Sequence, residues 1–331
     1  MATLSDVARM ANVSPAAVSR HLNGRIKLPA ATQARIDAAI KALDYRPNLM
    51  AKRLSTGRTE AIGLVTPEIS NPFFAELAAV VEDEAASHGY DVYISSTRGD
   101  ASREVTATKR LRDRHVDGLI MMTNRADDGT LARALDGLGN LVIIDEDIPG
   151  AAQSRIFVEN RAGGRIATEH LVALGHRDIA TVTGPAGVMS VVEREQGWAD
   201  ALDAAGLPRG RVIAGDYSRA SGREAARQLL AEGPLPTAIV AAADDIAIGL
   251  IETFREAGID VPGDISITGF DDMRYSALVA PALTTVHQPV AELGRLAFSH
   301  LRAVMDGKQV EPLVRLPVSL TVRNSTAKPR S

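Results

Sequence analysis

Acidic and amide side chains follow short apolar runs in the larger, second part of the chain. The runs include LVIID at 141–145 and ISITGFD at 265–271. The side chains at the ends of such runs are Pro67, Glu68, Thr123, Asn124, Asp145, Glu146, Asp147, Asp244, Asp245, Asp271 and Asp272. Carboxylates and amides form several hydrogen bonds each, and the rings of Phe73, Phe74 and Tyr217 offer apolar walls. Together they predict a cleft for a neutral ligand rich in hydroxyl groups, such as a sugar or a nucleoside.

The elements that must position these side chains alternate between strands and helices. The β-rich runs occur at 61–66, 91–95, 117–122, 141–145, 178–184, 211–216, 237–244 and 265–271. Helical patterns intervene, for example over 73–87, 163–173, 194–205, 221–231 and 246–256. Apolar strands alternating with helices predict an α/β fold with two doubly wound, parallel lobes. Ligands of such sheets bind outside the carboxyl ends of the strands, where the polar side chains gather.

The sequence contains no recognisable catalytic or metal-binding motif. It has no cysteine, so disulfides, thiolate nucleophiles and Cys-based metal sites are excluded. It contains no GxSxG, Walker A, GxGxxG or HExxH string, and no paired general acid and base stands out. His170, His176 and His287 are too scattered for a metal site, and the acids at 145–147 lack calcium-loop spacing. We therefore expect no enzymatic activity, no cofactor and no metal.

The charge is distributed unevenly along the chain. Residues 1–59 hold ten Lys or Arg against three Asp, a net charge of +7, so residues 60–331 carry −11 of the overall −4. A basic segment on an acidic body is typical of a nucleic-acid-binding module joined to a different module. The sequence shows no secretory signal and no apolar segment long enough to cross a membrane, so we expect a cytoplasmic protein.

The basic segment contains three short helical patterns. Leu4, Val7, Ala8 and Ala11 form the apolar face of the first, and Ser14-Pro15 begins the second. The third runs from about residue 32 to residue 43. Two helices joined by about three residues and braced by a third predict a helix-turn-helix headpiece over residues 1–46.

The second of these helices has the side chains of a DNA-reading helix. Burial of Val18 and Leu22 leaves Ala16, Ala17 and Arg20 facing outward. An arginine can make two hydrogen bonds to guanine, and alanine methyl groups can contact thymine methyl groups. The alternative is a small three-helix bundle without a DNA role.

A linker, residues 47–60, follows the headpiece. Asn48 can cap a short helix that ends near Leu54, before Ser55-Thr56-Gly57. A helix of so few residues is not stable alone in water. We therefore expect this segment to become helical only when it packs against a partner and DNA. Lys52, Arg53 and Arg58 are suited to phosphates. The alternative is a plain linker.

The sequence resembles the LacI/GalR (lac repressor-type) family of regulators over essentially the whole chain. The headpiece carries the string TLSDVARMANVSPAAVSRHLNG, and YRPNLMAKRLSTGRTEAIGLV follows at the expected distance. Further matching motifs are IGLVTPEISNPFFAEL, ENRAGGRIATEHLVALGHRDIA, REQGW, and GFDD followed by PALTTVHQP. The resemblance implies a periplasmic-binding-protein-like core of two lobes behind the headpiece.

The resemblance also implies which residues bind DNA. Pro15, Ala16 and Arg20 occupy base-reading positions of the recognition helix, and Leu54 matches a leucine that paired hinge helices insert into the minor groove. The expected DNA-binding set is Ser14, Pro15, Ala16, Ala17, Ser19, Arg20, Asn48, Lys52 and Leu54. The partner is a near-palindromic operator bound by a homodimer. No heptad repeat follows PVSLTVRNSTAKPRS, so we expect a dimer rather than a tethered tetramer.

Carried over to the core, the resemblance implies an effector site between the lobes. Its residues are Phe73, Phe74, Asn124 and Asp145 from the first lobe, and Arg194, Tyr217, Asp244 and Asp271 from the second. The effector-binding core spans residues 61–331. The first lobe takes about 61–158 and 288–315, and the second takes about 159–287 and 316–327. The chain therefore crosses between the lobes three times.

Four functions remain open at this point. The first, which we favour, is a transcriptional regulator, most simply a repressor, whose DNA affinity depends on a small effector. The second is an exported solute-binding protein, which would need a signal peptide and no basic headpiece. The third is an enzyme. The fourth is a regulator of the same kind whose coregulator is a phosphocarrier protein rather than a metabolite.

Overall fold

The computed structural model describes residues 2–22, 28–45 and 57–330. The chain divides into two compact units, residues 1–59 and residues 60–331. The described part of the first unit is all-helical, and the second unit contains two six-stranded sheets with helices.

Three helices form the headpiece: α1, Leu4–Ala11; α2, Pro15–Leu22; and α3, Ala30–Ala42. The Thr3 hydroxyl accepts a hydrogen bond from the Asp6 backbone, and the Asp6 carboxylate accepts one from the Thr3 backbone, so α1 begins with a capping box. Asn12 ends α1 in the left-handed conformation, with φ of 52°, which turns the chain toward α2. The headpiece is therefore a helix-turn-helix, as predicted.

Small apolar side chains fill the centre of the headpiece. The fully buried residues are Val7, Ala8, Ala11, Val18, Ile36 and Ala39. Leu22, which the sequence predicts to be buried, is partly buried at the edge of this cluster together with Ile40 and Leu43. His21 Nε2 lies 3.0 Å from Asp37 Oδ1, which joins α2 to α3 through side chains.

The second unit contains eight further helices and twelve strands among its described residues. The helices are α4, Pro72–Ser87; α5, Ala101–Arg112; α6, Thr130–Leu135; α7, Asn160–Leu174; α8, Met189–Ala204; α9, Arg219–Glu232; α10, Asp244–Glu256; and α11, Val290–Met305. The strands of the first sheet are β1, Ala61–Thr66; β2, Asp91–Ser96; β3, Gly118–Met121; β4, Leu141–Ile144; β5, Ser154–Val158; and β11, Leu313–Leu316. Those of the second are β6, Ile179–Val182; β7, Val212–Ile213; β8, Ala238–Ala241; β9, Ser266–Asp271; β10, Thr284–His287; and β12, Ser319–Thr321.

The two sheets have matching strand orders. The first runs β11-β5-β4-β3-β1-β2 and the second β12-β10-β9-β8-β6-β7. All neighbouring strands are parallel except β10 and β12, which are antiparallel. In both sheets the first strand in chain order lies between the second and the third, which makes the switch point where α/β sheets bind ligands. This confirms the predicted α/β fold of two doubly wound lobes.

Each lobe has its own apolar interior. Ile62, Leu64 and Ile120 of the first sheet pack against α4 and α11, and Ile239, Ala241 and Ile267 of the second pack against α10. The chain passes from the first sheet to the second after β5, returns after β10 and crosses again between β11 and β12. Three adjacent connections allow the lobes to rotate about one hinge without separating.

All eight β-rich runs contain a strand, although most strands are shorter than the run. Strands β5, β10, β11 and β12 have no counterpart among the predicted runs. Strand β2 also departs from the expected buried pattern, because it lies at the sheet edge with Tyr93 and Ile94 exposed. None of the described helices is long and apolar enough to span a membrane.

Candidate functional site

A cavity of about 440 Å³ lies at the carboxyl ends of the strands and takes side chains from both lobes. Seven of the eight predicted effector-binding residues line it: Phe73, Phe74, Asn124, Asp145, Arg194, Tyr217 and Asp271. Its volume is typical of a pocket for a small organic molecule. The cavity thus brings together seven residues that the family resemblance implied, and it lies at the strand ends where the polar side chains were expected to gather.

The start of α4 supplies the aromatic wall from the first lobe. The Asn71 side chain accepts a hydrogen bond from the Phe73 backbone N–H at 2.9 Å, and Pro72 occupies the first helical turn. The Phe73 and Phe74 rings meet edge to face, with centroids 5.2 Å apart. Both rings are almost fully buried and belong to the core of the first lobe. They therefore stabilise the lobe and line the cavity at once.

Three cavity residues have left-handed backbone conformations. The φ angles are 71° at Asp145, 67° at Tyr217 and 118° at Asp271. Such angles are unfavourable for residues other than glycine, and they occur preferentially at functional sites. Asp145 and Asp271 lie where β4 and β9 end and present a carboxyl group at the edge of the sheet, whereas Tyr217 lies in the loop between β7 and α9.

Arg194 is the buried one of three arginines that line the cavity, with 8% of the residue exposed. Its Nε donates to Asn160 Oδ1 at 2.9 Å, and its Nη1 donates to the Ala242 carbonyl oxygen at 2.6 Å. Its guanidinium carbon lies 3.6 Å from the centroid of the Phe270 ring. The group is thus oriented by two neutral acceptors and a ring face, and its charge is directed at the cavity.

Two carboxyl groups face this guanidinium, one from each lobe. Burial, together with the charge of Glu146, raises the pKa of Asp145 to about 7, and the charge of Arg194 opposes both effects. Burial also raises the pKa of Asp271 to about 7, against the charge of Arg194 and the hydrogen bond from Gln288. Near neutral pH each group exists in both protonation states, so the pair can both donate and accept hydrogen bonds.

Glu146 joins the lobes beside Asp145 and is buried. Its Oε2 accepts hydrogen bonds from the Ser190 hydroxyl at 2.6 Å and from the Ser190 backbone N–H at 3.2 Å. The Ser190 hydroxyl also lies 2.7 Å from the Tyr217 hydroxyl, and burial raises the pKa of Tyr217 to about 12. A continuous hydrogen-bonded chain therefore crosses the cleft.

Gln288 lines the same cavity and is 1% exposed. Its Nε2 donates to Asp271 Oδ1 at 2.7 Å. Its Oε1 is buried and has no hydrogen-bond partner among the described residues. A buried acceptor without a partner is rare and costly, so this oxygen is well placed to accept a hydrogen bond from a ligand.

The structure corrects the prediction for Asp244, which does not line the cavity. Its carboxylate is fully buried inside the second lobe and accepts hydrogen bonds from the Met273 backbone, the Ser276 hydroxyl and the Thr285 hydroxyl. Burial, together with the charge of Asp271, raises its pKa to about 8. Asp244 joins the start of α10 to β10 and to the turn after β9, which is a structural role.

The neighbouring Asp245 lines the cavity instead. Its Oδ2 accepts a hydrogen bond from Asn71 Nδ2 of the first lobe at 3.2 Å, and its Oδ1 accepts one from the Tyr275 hydroxyl at 3.0 Å. The strand-end rule had marked Asp245 and Glu146 beside the chosen residues, so a signal for both was present. No pattern in the sequence marked Ser190, Tyr275 or Gln288, which come from other elements.

Six residues of the predicted DNA-binding set lie at or along α2 of the headpiece. Ser14, Pro15, Ala16 and Arg20 are exposed, whereas Ala17 and Ser19 are half-buried. The Ser14 hydroxyl accepts a hydrogen bond from the Ala17 backbone N–H at 3.1 Å, which caps α2. Asn48, Lys52 and Leu54 lie outside the described residues, and their DNA-binding roles stay predictions.

Known proteins match the chain along its length. Residues 3–48 match the model of bacterial regulatory proteins of the lacI family, and residues 168–326 match a periplasmic binding protein-like domain. The catabolite control protein A of Priestia megaterium is 33% identical over 98% of this chain and 99% of its own length. The ribose operon repressor of Escherichia coli K12 is 34% identical over 91% of this chain and 92% of its own.

A solved structure of the lac repressor dimer, bound to operator and the anti-inducer ONPF, has a TM-score of 0.88 to this protein. It is 32% identical, with 98% of this chain and 99% of that chain covered. A helix-turn-helix headpiece and a two-lobed binding core define a DNA-binding transcriptional regulator, which is not an enzyme. The chain belongs to the lacI family of bacterial regulatory proteins.

Proposed function

We propose that the protein represses transcription from a near-palindromic operator, and that a sugar or a nucleoside bound between the lobes sets its operator affinity. The observation that carries the effector proposal is the cavity, which combines acids, amides and the buried guanidinium of Arg194 with aromatic walls. Hydroxyl groups donate to carboxylates and accept from guanidinium and amide N–H groups, while a sugar or base face stacks on rings.

The expected mode of control follows from the lobes. An effector that touches Asp145 of the first lobe and Asp271 of the second favours one relative position of the two lobes. The linker to the headpiece joins the first lobe at Ala61, so a change in lobe position is transmitted to the paired linkers. A coupling free energy of ~1–3 kcal/mol changes operator affinity about 5–150-fold.

A homodimer is supported by apolar surface on both lobes. Tyr93 and Ile94 are 45% and 44% exposed on the edge strand β2, and Leu278 is 82% exposed in the second lobe. An edge strand that presents large apolar side chains is well suited to pairing with a second copy. Two copies would place two recognition helices in successive major grooves, in the cytoplasm where bacterial DNA lies.

A thermal-shift screen of sugars and nucleosides against the full-length protein tests the effector proposal. A ligand at 100 times its dissociation constant stabilises the folded state by about 2.7 kcal/mol. Asp145→Asn is expected to abolish the shift, while Asp178→Asn, outside the cavity, keeps it. Any ligand found is then added to an operator-binding assay, where it must change the affinity.

The alternative is a phosphocarrier protein as coregulator, with the same mode of DNA binding. The sequence left this possibility open, and no feature of the cavity favours it. If no metabolite shifts the unfolding temperature but a phosphorylated carrier protein raises operator affinity, the alternative replaces the effector proposal.

A further inference from the structure

Four basic residues lie together at the end of α5, and we name Lys109, Arg110, Arg112 and Arg114 the cationic edge. All four are exposed. Residues 109–116 hold these four cations and one Asp, a net charge of +3, within a core unit that carries −11 overall. None of the four forms an ion pair with a carboxylate in the part of the chain that the structure describes. Arg110 and Arg112 donate to neutral oxygens, those of Ser95 and Ala134.

The backbone holds these cations in a fixed turn. The Arg114 N–H donates to the Leu111 carbonyl at 3.1 Å, and the His115 N–H donates to the Arg110 carbonyl at 2.8 Å. These two hydrogen bonds make a Schellman motif, with Arg114 at the left-handed position, φ of 55°. Glycine is the residue that fits this position without strain. The turn therefore keeps an arginine where glycine would be better for the fold.

The cationic edge lies where the linker joins the core. The Asp117 backbone N–H donates to the Ala61 carbonyl at 2.7 Å, and Asp117 Oδ2 accepts a hydrogen bond from the Glu60 backbone at 2.9 Å. Strands β1 and β3 both begin here, so this is the amino edge of the first sheet. The ligand cavity lies at the opposite, carboxyl edge of the same sheet.

DNA bound by the headpiece is tethered to this edge of the core. Residues 46–59 link the last described headpiece residue to Glu60, and fourteen residues span at most about 50 Å when fully extended. An acidic core repels a nearby duplex, and exposed cations without carboxylate partners reverse that effect locally. Lys and Arg that neutralise phosphates bind DNA without regard to sequence.

We propose that the cationic edge binds the phosphate backbone of the duplex that the headpieces hold. This contact strengthens DNA binding in addition to the base contacts of α2, and its strength does not depend on the base sequence. This inference goes beyond effector control, because the edge lies on the side of the sheet away from the cavity.

Operator and random duplexes of equal length test it with the full-length protein. The operator is the inverted repeat recovered by selection from random duplexes. The variant carries Lys109→Gln, Arg112→Gln and Arg114→Gly together, and a control of equal charge carries Arg177→Gln, Arg255→Gln and Arg274→Gln, which are exposed on the second lobe. We expect the variant to bind both duplexes at least about tenfold more weakly at ~0.1 M salt, and the control to bind as wild type does. The negative slope of log affinity against log salt concentration should become shallower by about 0.9 for each phosphate that the variant no longer neutralises.

Two further measurements separate binding from folding. Arg114→Gly alone should leave the unfolding temperature unchanged or raise it, because the strained position is relieved, and it should still lower the salt slope. Effector-induced thermal shifts should be unchanged in every variant.

Wild-type affinity and slope in the triple variant, or an equal weakening in the control, overturns the proposal. The proposal is also overturned if the triple variant dissociates into monomers in sedimentation while each remaining dimer keeps wild-type affinity for DNA. That result would show that the cationic edge contacts a second copy of the chain. Recovery of no operator at all would instead contradict the proposed function.

Discussion

Glu146 of the first lobe caps helix α8 of the second, through Ser190. The residue before α8, Val188, offers no side-chain cap, and the Glu146 carboxylate accepts hydrogen bonds from both the backbone N–H and the hydroxyl of Ser190. A carboxylate at a helix amino terminus is also stabilised by the helix dipole. Because cap and helix belong to different lobes, α8 is capped only when the lobes are in the arrangement seen here.

Ser190→Ala is therefore expected to shift the lobes away from this arrangement. The substitution removes a hydrogen bond to a charged acceptor, worth about 1.5–3 kcal/mol, and leaves a buried carboxylate with fewer partners. If the effector binds the lobe arrangement seen here, its apparent affinity falls in proportion to the population of that arrangement, roughly tenfold or more. Calorimetric titration measures the affinity, and small-angle scattering measures the change in dimensions.

The matched control is Ser87→Ala, at an exposed serine at the end of α4. A Ser190→Ala protein with wild-type affinity and dimensions would show that the cap contributes nothing to the lobe arrangement seen here. A double-mutant cycle with Glu146→Gln then isolates the energy of the pair itself.

The raised pKa values of Asp145 and Asp271 predict a definite pH dependence of stability. Both groups have a pKa of about 7 in the folded protein and ionise near pH 4 when unfolded. Between pH 4 and pH 7 the folded state therefore binds more protons than the unfolded state. Their contribution to the free energy of unfolding falls as pH rises through this window, and it is constant above it.

Replacing both groups by asparagine should remove their share of this dependence and leave the share of Asp244, whose pKa is also raised. We expect Asp145→Asn with Asp271→Asn to be more stable than wild type at pH 8, because asparagine cannot ionise in the buried site. The difference should vanish near pH 4, where both carboxyls are largely protonated in the folded state. Denaturant titrations at the two pH values measure it, with Glu256→Gln as an exposed control. A gain of equal size at both pH values would contradict the assignment.

Asp244 and Asp245 are neighbours with different expected phenotypes. Asp244→Ala removes a buried acceptor of three hydrogen bonds, so it should lower the free energy of unfolding by about 2–4 kcal/mol. Asp245→Ala removes only the hydrogen bonds to Asn71 and Tyr275 at the cavity, so it should weaken effector binding and cost less than about 1.5 kcal/mol. Unfolding curves and ligand titrations on both variants distinguish the roles, and the reverse pattern would restore Asp244 to the cavity.

Asp244 and Asp245 also show how much of the site the sequence can predict. It predicts where the strands end, but it does not predict which of the two side chains faces the cavity. The apolar runs located the strand ends, because a parallel sheet covered on both faces requires apolar residues on both faces. Helix α10 starts at Asp244, and successive residues of a helix point about 100° apart. Which of the two aspartates faces the cavity therefore depends on how α10 packs, and no local pattern records that.

The strands and cavity residues that the sequence did not predict have a similar explanation. Strands β11 and β12 are short and only partly buried, so they lack the apolar runs that identified β1 and β4. Ser190 and Gln288 reach the cavity from a helix start and from a connection between lobes. Their positions follow from how the two lobes meet, and long-range packing of this kind leaves no periodic signal. By contrast, Ser14-Pro15 marks the start of α2 locally, and the helix begins there.

Arg20 is expected to contribute to base discrimination as well as charge. It is exposed near the end of α2, away from the headpiece core. Arg20→Lys keeps the charge but removes the two-pronged donor geometry, so it should reduce discrimination against a single altered base pair by about 1–3 kcal/mol. The salt dependence of binding should remain that of wild type. Competition between the operator and single-base variants measures discrimination; a uniform weakening over all sequences would make Arg20 a phosphate-binding residue.

Leu54, by resemblance the minor-groove wedge, can be tested without knowing its conformation. An apolar side chain inserted between base steps unstacks them and kinks the duplex, so Leu54→Ala should weaken operator binding and reduce the bend together. Removal of the wedge should leave binding to random duplex nearly unchanged, because phosphate binding dominates there. Bending is measured by fluorescence transfer between the ends of a labelled operator. The conservative variant Leu54→Met, which keeps an apolar side chain of similar volume, should retain most of both. A Leu54→Ala protein that bends and binds the operator as wild type does would assign the kink to other residues.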